Sequence, residues 1–194
     1  MARINETTIR PADWPADLNG VRACFSAYIE WLGEDLTFQD YGGEWDGLPG
    51  KYAPPAGALL LAVDGGDRIL GCVAVRPLEL GPDLIGGRRR DLGVCEMKRL
   101  FVYPEARGRG LSRLLVRHAV RKAEEAGYHE MLLDTLPRMH VAIGLYASEG
   151  FVTAEPYYHS PLPGTIYMAK RLGRENKGLF HLVLSYTRGH DPAG

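Results

Sequence analysis

The sequence predicts an α/β fold with a mixed, partly parallel central sheet flanked by helices. Two β-rich runs, 57–63 and 68–75, are separated by the glycine-containing turn 64–67, which is typical of a hairpin. Further along the chain, short apolar runs alternate with segments of helical period, which indicates β-α-β units. The hairpin therefore supplies an antiparallel part of the sheet, and the alternating segments supply a parallel part.

Composition excludes several classes of protein. Of the 194 residues, 45% are hydrophobic and 24% are charged, as in an ordinary globular protein. Lys and Arg number 23 against 24 Asp and Glu, and a net charge of −1 argues against nucleic acid or an anionic membrane as a partner. The longest apolar run, 59–63, is far shorter than the ~20 residues of a membrane span, and the start has no apolar leader. We therefore expect a cytoplasmic protein without a membrane partner.

Cysteine and histidine give no sign of a metal site. Cys24, Cys72 and Cys95 are odd in number, widely spaced and flanked by apolar residues, which favours buried free thiols in a reducing compartment. The histidines at 118, 129, 140 and 159 do not fall at the spacings of metal ligands. We therefore expect no bound metal.

The N-terminal part predicts a strand, a helix and a long loop ahead of the hairpin. Residues 7–10 form the short first strand. Apolar residues from Val21 to Leu32 recur at i, i+3 and i+4, which indicates an amphipathic helix that ends at Gly33. Residues 37–55 are rich in glycine, proline and acidic side chains, and they predict a loop or a short helix.

The C-terminal part predicts a regular alternation of strands and helices. A strand over 93–102 leads to a helix that begins at Leu111 and stops at Gly127, with an apolar stripe of helical period. A second helix covers 138–149 and is capped by Gly150. The remaining predicted strands are 130–135, 151–155 and 165–172.

The junction between the long strand and the following helix carries the strongest chemical signal. Arg107-Gly-Arg-Gly110 lies where the strand ends and the helix begins. Free backbone N–H groups, the positive end of the helix dipole and glycines that allow close approach make an anion cradle suited to a pyrophosphate. A Walker loop would need a lysine after its last glycine, and a dinucleotide fingerprint would need a third glycine. The sequence has neither, so both motifs are excluded.

These residues resemble the GNAT superfamily of acyl-CoA-dependent N-acetyltransferases. Its phosphate-binding motif, [RQ]-x-x-G-x-[GA], is matched by residues 107–112, except that Ser112 replaces the last small residue. The strand end Leu100-Phe-Val102, followed by Pro104, and the helix motif Ala142-x-x-Leu-Tyr-x-x-x-Gly-Phe151 resemble two further motifs in the same order. The resemblance implies one acetyltransferase domain over 1–172 and leaves 173–194 as an extension of unknown role.

The resemblance also implies acetyl-CoA as co-substrate, with no metal. The backbone of Leu100, Phe101 and Val102 would pair with the pantetheine arm as an added strand. The pyrophosphate would be held by the amides of the cradle, which are those of Arg107, Gly108, Arg109, Gly110, Leu111 and Ser112. The chain departs from the family at Met139, where family members often carry an asparagine that contacts the cofactor.

Two side chains are candidates for acid–base chemistry. By the resemblance, Tyr146 is the general acid, because a phenol has a proton to give to the departing thiolate; the alternative is a core aromatic. Glu96 is the candidate base for the amine, since a carboxylate in an apolar strand must be paired, solvated or functional. A salt bridge from Glu96 to Lys98 or Arg99 is the alternative.

Alternation along the strand predicts which side chains share a face. Glu96, Lys98 and Leu100 fall on one face, and residues 97, 99 and 101 fall on the other, unless a bulge intervenes. A backbone N–H near Leu100 is expected to stabilise the oxyanion of the transfer reaction.

The acceptor, by the resemblance, lies across the sheet opening from the cofactor. The first helix and the loop after it bring acidic and aromatic residues there, including Tyr28, and the loop before the last strand brings Tyr157 and Tyr158. Such a wall would suit a cationic amine, although a solvated acidic loop is the alternative. We therefore predict acetyl transfer to the primary amine of a small or amino-acid-like molecule in a ternary complex, with these three tyrosines as substrate contacts.

Rival interpretations remain at this point. A non-catalytic CoA-binding sensor module would carry the same cofactor motifs without turnover. The arginine patches 86–90 and 107–110 could bind RNA, but the net charge argues against it. The apolar run 179–184 could form an extra strand, could cover the sheet edge of a second subunit in a homodimer, or could belong to a loosely held terminus.

Overall fold

The computed structural model describes residues 7–35, 41–81 and 93–173, which form a single sheet with helices on both faces. Its strands are β1 Thr8–Pro11, β2 Ala58–Val63, β3 Ile69–Pro77, β4 Val94–Val102, β5 Glu130–Thr135, β6 Val152–Thr153 and β7 Ile166–Arg171. Its helices are α1 Leu18–Leu32, α2 Tyr41–Asp46, α3 Leu111–Glu125 and α4 His140–Ser148. Short 3-10 helices, Gly50–Tyr52 and Pro104–Ala106, follow α2 and β4.

The sheet is mixed, as the sequence predicts. Its strand order is β1-β2-β3-β4-β5-β7-β6, and of its neighbouring pairs only β4 and β5 are parallel within the described residues. Helix α3 carries the chain from the end of β4 back to the start of β5, which makes these two strands run in the same direction. The predicted α/β class and the partly parallel sheet are confirmed.

Each face of the sheet has its own apolar core. Helix α3 packs Leu115 and Val116 against one face. Helix α1 packs Val21 and Phe25 against the other face. The three cysteines are free and buried, as predicted.

Strand β4 contains a bulge. Cys72 of β3 pairs with Phe101, and Ala74 pairs with Lys98, so β4 has one more residue than β3 between these two pairs. Arg99 lies in the bulge with a φ of 57°, a left-handed conformation that is uncommon for an arginine. The bulge shifts every later side chain of β4 to the opposite face.

The alternation predicted for a β4 without a bulge therefore holds only as far as Lys98, because the bulge that the sequence left open is present. Leu100 packs with the core beneath α3, whereas Phe101 packs with the core beneath α1. Arg99 reaches α2 on the face that Glu96 and Lys98 occupy. The extra residue of the bulge, rather than any change in side-chain type, is the physical reason.

Strands β4 and β5 separate along their length. Their ladder runs only from Val94 opposite Glu130 to Glu96 opposite Leu132, although both strands continue beyond it. The edge of β4 from 97 to 102 that faces β5 has no ladder partner among the described residues. A cleft opens in the gap.

Several predicted features lie outside the described residues. These are the first six residues, part of the acidic loop at 36–40, the arginine patch 86–90, and the tail from 174 with its apolar run. Among the described helices, none is long and apolar enough to cross a membrane. The described ranges also contain no cluster of His, Cys, Asp or Glu that could hold a metal ion.

Candidate active site

The cleft between β4 and β5 holds a cavity of about 650 Å³. Its walls are α1, strand β4 from Met97 to Val102, the start of α3, and α4. The backbone edge of β4 that lacks a ladder partner therefore runs along this first cavity. An extended ligand could hydrogen-bond to that edge as a further strand would.

The predicted anion cradle lies at the end of this cavity. Gly108 and Gly110 each have a φ of 75°, and a Cβ atom at either position would meet no heavy atom within 4 Å. Helix α3 begins directly afterwards, and the first N–H groups of a helix have no partner within it. Five of the six predicted cradle residues line the cavity: Arg107, Gly108, Gly110, Leu111 and Ser112. The guanidinium of Arg109 instead donates to Thr7 Oγ1 at 2.8 Å.

The side chain of Arg107 has a role separate from its backbone. Its guanidinium lies 4.9 Å from the ring centroid of Trp31 on α1, and its Nε donates to the carbonyl of Val102 at 3.0 Å. Trp31 is 48% exposed and lines the first cavity. The Arg107 side chain therefore contacts both α1 and the end of β4 beside the cradle.

Tyr146 lies on α4 at the wall of the first cavity. It is 7% exposed, and its ring packs edge-on against Phe151 with a centroid separation of 5.9 Å. Burial raises the pKa of Tyr146, and the neighbouring Tyr28 and Asp134 add to this effect. The residue is thus both a core aromatic and a lining residue whose phenol keeps its proton at neutral pH.

A second cavity of about 740 Å³ lies on the α1 side of the sheet. It is bounded by α2, the 3-10 helix after it, the end of β3, the first half of β4, and the loop before β7. Glu96, Tyr157 and Tyr158 line it, whereas Tyr28 lines the first cavity. Among the described residues, Lys98 is the one that lines both cavities.

Six charged side chains form a cluster between the two cavities, which we call the six-charge cluster. Its members are Glu44, Arg76, Glu96, Lys98, Arg99 and Asp134, three acids and three bases that pair. The shortest N–O distances are 2.7 Å for Arg76 to Glu96, 3.0 Å for Lys98 to Asp134 and 2.8 Å for Arg99 to Glu44. The cluster is therefore neutral overall.

The partners in this cluster keep each other ionised. Burial tends to raise the pKa of Asp134, but the ammonium of Lys98 opposes it, and the pKa lies below the ordinary 3.8. Burial likewise tends to lower the pKa of Lys98, but Glu96 and Asp134 raise it above its ordinary value. Lys98 therefore stays protonated at neutral pH and cannot serve as a general base.

Glu96 is held from several sides. It is 1% exposed; two nitrogens of Arg76 lie 2.7 Å from Oε2, and the Tyr157 hydroxyl donates to Oε1 at 2.8 Å. Lys98 Nζ is 3.4 Å from Oε1. The ion pair with Lys98 that the sequence left open is therefore present, while Arg99 pairs with Glu44 instead.

The three tyrosines predicted to contact substrate fall into two groups. Tyr157 and Tyr158 pack edge-on with Tyr167, with ring centroids 5.3–5.4 Å apart, in the wall of the second cavity. The Tyr28 ring packs edge-on against Phe101, with centroids 6.2 Å apart, and the Arg99 guanidinium lies 5.8 Å from the centroid of the Tyr28 ring. The cation that contacts Tyr28 is therefore Arg99 of the protein and not a substrate amine.

Sequence reasoning missed Arg76 and Asp134 as parts of the site, and it considered Lys98 only as an ion-pair partner of Glu96. Asp134 lies in the apolar strand 130–135, so the argument that singled out Glu96 would have found it too. Arg76 ends an apolar strand in the same way. Their pairing with Lys98 and Glu96, in contrast, depends on strand register, which the sequence does not show.

This fold and site define the class of acyltransferases. The chain belongs to the acetyltransferase (GNAT) family, whose profile matches residues 22–151. The predicted family and enzyme class are confirmed.

Two relatives illustrate the range of the family. The chain is 40% identical over 174 residues to an uncharacterised N-acetyltransferase of Schizosaccharomyces pombe, a match that covers 90% of this chain and 100% of that protein. It is 30% identical over 142 residues to N-acetyltransferase family 8 member 2 of Rattus norvegicus, covering 73% of this chain and 55% of that protein.

Solved structures share the fold at low sequence identity. A GNAT-family acetyltransferase from Staphylococcus aureus has a TM-score of 0.66 at 14% identity, covering 87% of this chain and 100% of its own. A Salmonella typhimurium protein solved with its cofactor acetyl-CoA has a TM-score of 0.60 at 19% identity, covering 88% of this chain and 96% of its own.

Proposed function

We propose that this protein transfers an acetyl group from acetyl-CoA to the primary amine of a small, amino-acid-like molecule while both are bound. The observation that carries the proposal is the meeting of two cavities, of about 650 and 740 Å³, at Lys98. Each has the volume of a small-molecule site. Two such sites with a shared wall favour direct transfer in a ternary complex.

The first cavity fits acetyl-CoA, which supplies an activated thioester carbonyl when bound. The backbone edge at 100–102 would pair with the pantetheine arm, because it lacks a ladder partner on the β5 side among the described residues. The amides of the cradle at 107–112 would bind the pyrophosphate. The open space beside Gly108 and Gly110 supports this assignment, since a phosphate needs close approach to the backbone.

Tyr146 would serve the departing sulfur. Its raised pKa keeps the phenol protonated, so the hydroxyl is available as a donor. A thiolate with a pKa near ~8.5 is a weaker base than the Tyr146 phenolate, so complete proton transfer would be uphill. Tyr146 therefore acts in this proposal chiefly by donating a hydrogen bond as charge develops on sulfur.

The bulge of β4 would supply the oxyanion donor. Arg99 and Leu100 have no paired residue on β3, and Leu100 lines the first cavity. A backbone N–H fixed in this way needs no reorganisation as negative charge develops. The oxyanion donor predicted near Leu100 is therefore, in this proposal, a backbone N–H of the bulge.

The acceptor amine would approach from the second cavity. Because the six-charge cluster is neutral overall, a protonated amine gains no net attraction from it, and the neutral nucleophilic form is not at a disadvantage. Glu96 stays the candidate base. It would act through the Tyr157 hydroxyl, which donates to its carboxylate at 2.8 Å and lines the same cavity.

A turnover assay tests the transfer. The protein is mixed with acetyl-CoA and a panel of primary amines, and the release of the free CoA thiol is followed. Release that depends on an amine supports the proposal. Binding of acetyl-CoA without release in the presence of any amine would contradict it and would indicate a non-catalytic CoA-binding module.

Substitution of Tyr146 tests the donor. We expect Tyr146→Phe to lower kcat and kcat/KM together by about 100-fold, with the Kd for acetyl-CoA unchanged, because the hydrogen bond forms only as the thiolate departs. Tyr103→Phe is the matched control, since the partly buried Tyr103 packs edge-on against Phe101 of β4, with centroids 5.2 Å apart, but lines neither cavity. Equal turnover of the two variants would assign the donor elsewhere.

A further inference from the structure

We propose that the second cavity binds the carboxylate of an amino-acid acceptor through the Tyr52 hydroxyl and the Arg76 guanidinium. This inference rests on the proposed function and names its substrate class. The acceptor amine would then lie at Lys98, where the two cavities meet.

Tyr52 lies in the wall of the second cavity with an unused hydroxyl. The residue is 2% exposed, and its buried hydroxyl oxygen has no hydrogen-bond partner of ordinary geometry among the described residues, although burial and the nearby Glu44 carboxylate raise the pKa of this phenol. Its ring is fixed edge-on against Phe25, with centroids 6.2 Å apart. A buried hydroxyl without a partner costs stability, so a ligand acceptor atom in this cavity would satisfy it.

Arg76 offers the second donor. Two of its nitrogens contact Oε2 of Glu96 at 2.7 Å, which orients the guanidinium in the wall of the cavity. A guanidinium has five N–H donors in a rigid fork, so donors remain for a ligand. The fork matches the geometry of a carboxylate, which makes arginine the preferred residue for this recognition.

The charges around the second cavity favour an anion. Its lining contains three cationic side chains, Lys51, Arg76 and Lys98, against the two carboxylates Glu44 and Glu96. Glu44 is the carboxylate whose charge acts on Tyr52, and its two oxygens are held by Arg99 at 2.8 and 2.9 Å. One positive charge, that of the exposed Lys51, is therefore in excess over the neutral six-charge cluster.

Strand register sets the spacing between the two ends of the ligand. Arg76 pairs with Glu96, and Ala74 pairs with Lys98, so Arg76 and Lys98 are diagonal neighbours across β3 and β4. The Cα atoms of such neighbours lie roughly 7–8 Å apart, and both head groups reach the Glu96 carboxylate, Arg76 at 2.7 Å and Lys98 at 3.4 Å. An amine near Lys98 and a carboxylate at Arg76 therefore suit one small amino acid, whereas an amine without an anionic group would leave the Tyr52 hydroxyl without an acceptor.

The test compares matched acceptors in the full chain. α-, β- and γ-amino acids are each assayed beside the amine that lacks the carboxylate, and kcat/KM is measured by thiol release. We expect at least a tenfold preference for the acid in the best pair. Tyr52→Phe is expected to reduce that preference about tenfold, and the difference in amine basicity cancels because it affects both proteins alike.

The control variant and the outcomes separate the two proposals. Tyr128→Phe also removes a hydroxyl, which bonds the carbonyl of Ala56 at 2.7 Å outside both cavities, and it should leave the preference unchanged. Turnover with no preference for the acid, or a preference that Tyr52→Phe does not alter, would overturn this inference and leave acetyl transfer intact.

A binding measurement decides the case in which no amine is acetylated. Calorimetry with the same amino acids and amines, in the presence of CoA, measures the affinity for each ligand and so detects carboxylate recognition without turnover. A fivefold or greater loss of amino-acid affinity in Tyr52→Phe would support the inference even though the transfer had failed. Equal affinities of both proteins for acid and amine would overturn it.

Discussion

The two cavities are built from different parts of the chain. In the first, the contacts proposed for the cofactor come from backbone, the edge of β4 at 100–102 and the cradle at 107–112, which are nearly contiguous in sequence. The second depends on side chains that meet across the sheet. The pairs Arg76–Glu96, Lys98–Asp134 and Arg99–Glu44 join positions 20, 36 and 55 residues apart.

This difference implies different constraints on the two halves of the site. A backbone site tolerates many side chains but requires particular φ and ψ angles, as at Gly108 and Gly110. A neutral cluster of buried charges places little demand on particular φ and ψ angles. It loses stability when one charge is removed, because the partner of that charge is left unpaired. Acceptor specificity should therefore change through paired substitutions, and cofactor binding through the conformation of a short loop.

The largest effect is expected from removing a charge on the acceptor side. Lys98→Met leaves Asp134 without its cation in a region where the lysine side chain is only 5% exposed. We expect the free energy of unfolding to fall by about 3 kcal/mol, measured by denaturant titration, since breaking a buried pair leaves an uncompensated charge.

Two comparisons sharpen that result. Lys122→Met breaks an ion pair whose side chains are 40% and 52% exposed, and its effect should stay within about 0.5 kcal/mol. The double variant Lys98→Met/Asp134→Asn should recover part of the loss, because both charges are gone. Equal effects at Lys98 and Lys122 would contradict the view that the acceptor half depends on charge pairing.

The same difference explains which parts of the site were predictable. The cradle could be predicted because strand end, glycines and helix start follow one another in the sequence, and its residues do lie together. The helix after it was predicted to begin at Leu111, where α3 does begin. Local conformation, which a short stretch of sequence largely determines, is sufficient for this half.

The proposed acceptor half, which is the second cavity with the six-charge cluster, could not be predicted in the same way. Its contacts depend on register, so the partner of Glu96 proves to be Arg76 of the neighbouring strand as well as Lys98. Simple alternation assigned Leu100 to the wrong face, because the extra residue of the bulge shifts the side chains that follow it. Tertiary pairing decides these contacts, and the apolar pattern of β4 is compatible with either register.

An intermediate effect is expected from the backbone of the cradle. Gly110→Ala places a side chain at a φ of 75°, which costs about 1–2 kcal/mol for a non-glycine residue. We expect lower stability together with weaker acetyl-CoA binding, since the strain is relieved by moving the first N–H groups of α3. Calorimetry with acetyl-CoA measures the second effect.

The control for this substitution is a turn glycine elsewhere. Gly65 lies in the β2–β3 turn with a φ outside the left-handed region and open space around its Cβ position. Gly65→Ala should change neither property noticeably. If Gly110→Ala lowered stability but left the affinity for acetyl-CoA unaltered, the cradle would not be the cofactor site.

The smallest expected effect has opposite signs for stability and binding. Gly144 lies inside α4, its Cβ position has no heavy atom within 4 Å, and it lines the first cavity. Gly144→Ala should raise stability by up to ~1 kcal/mol through helix propensity. The new methyl group would occupy space in the cavity, so acetyl-CoA affinity should fall about fivefold, which corresponds to roughly 1 kcal/mol.

Gly42→Ala separates these two consequences. Gly42 is also helical with open space at its Cβ position, but it lines neither cavity. The control should therefore gain stability, by less than Gly144→Ala because α2 is short, without any change in acetyl-CoA affinity. If both variants lost affinity for acetyl-CoA, the loss would come from the greater rigidity of the helices and not from the methyl group that occupies the first cavity beside β4. That outcome would contradict a cofactor half defined by its backbone.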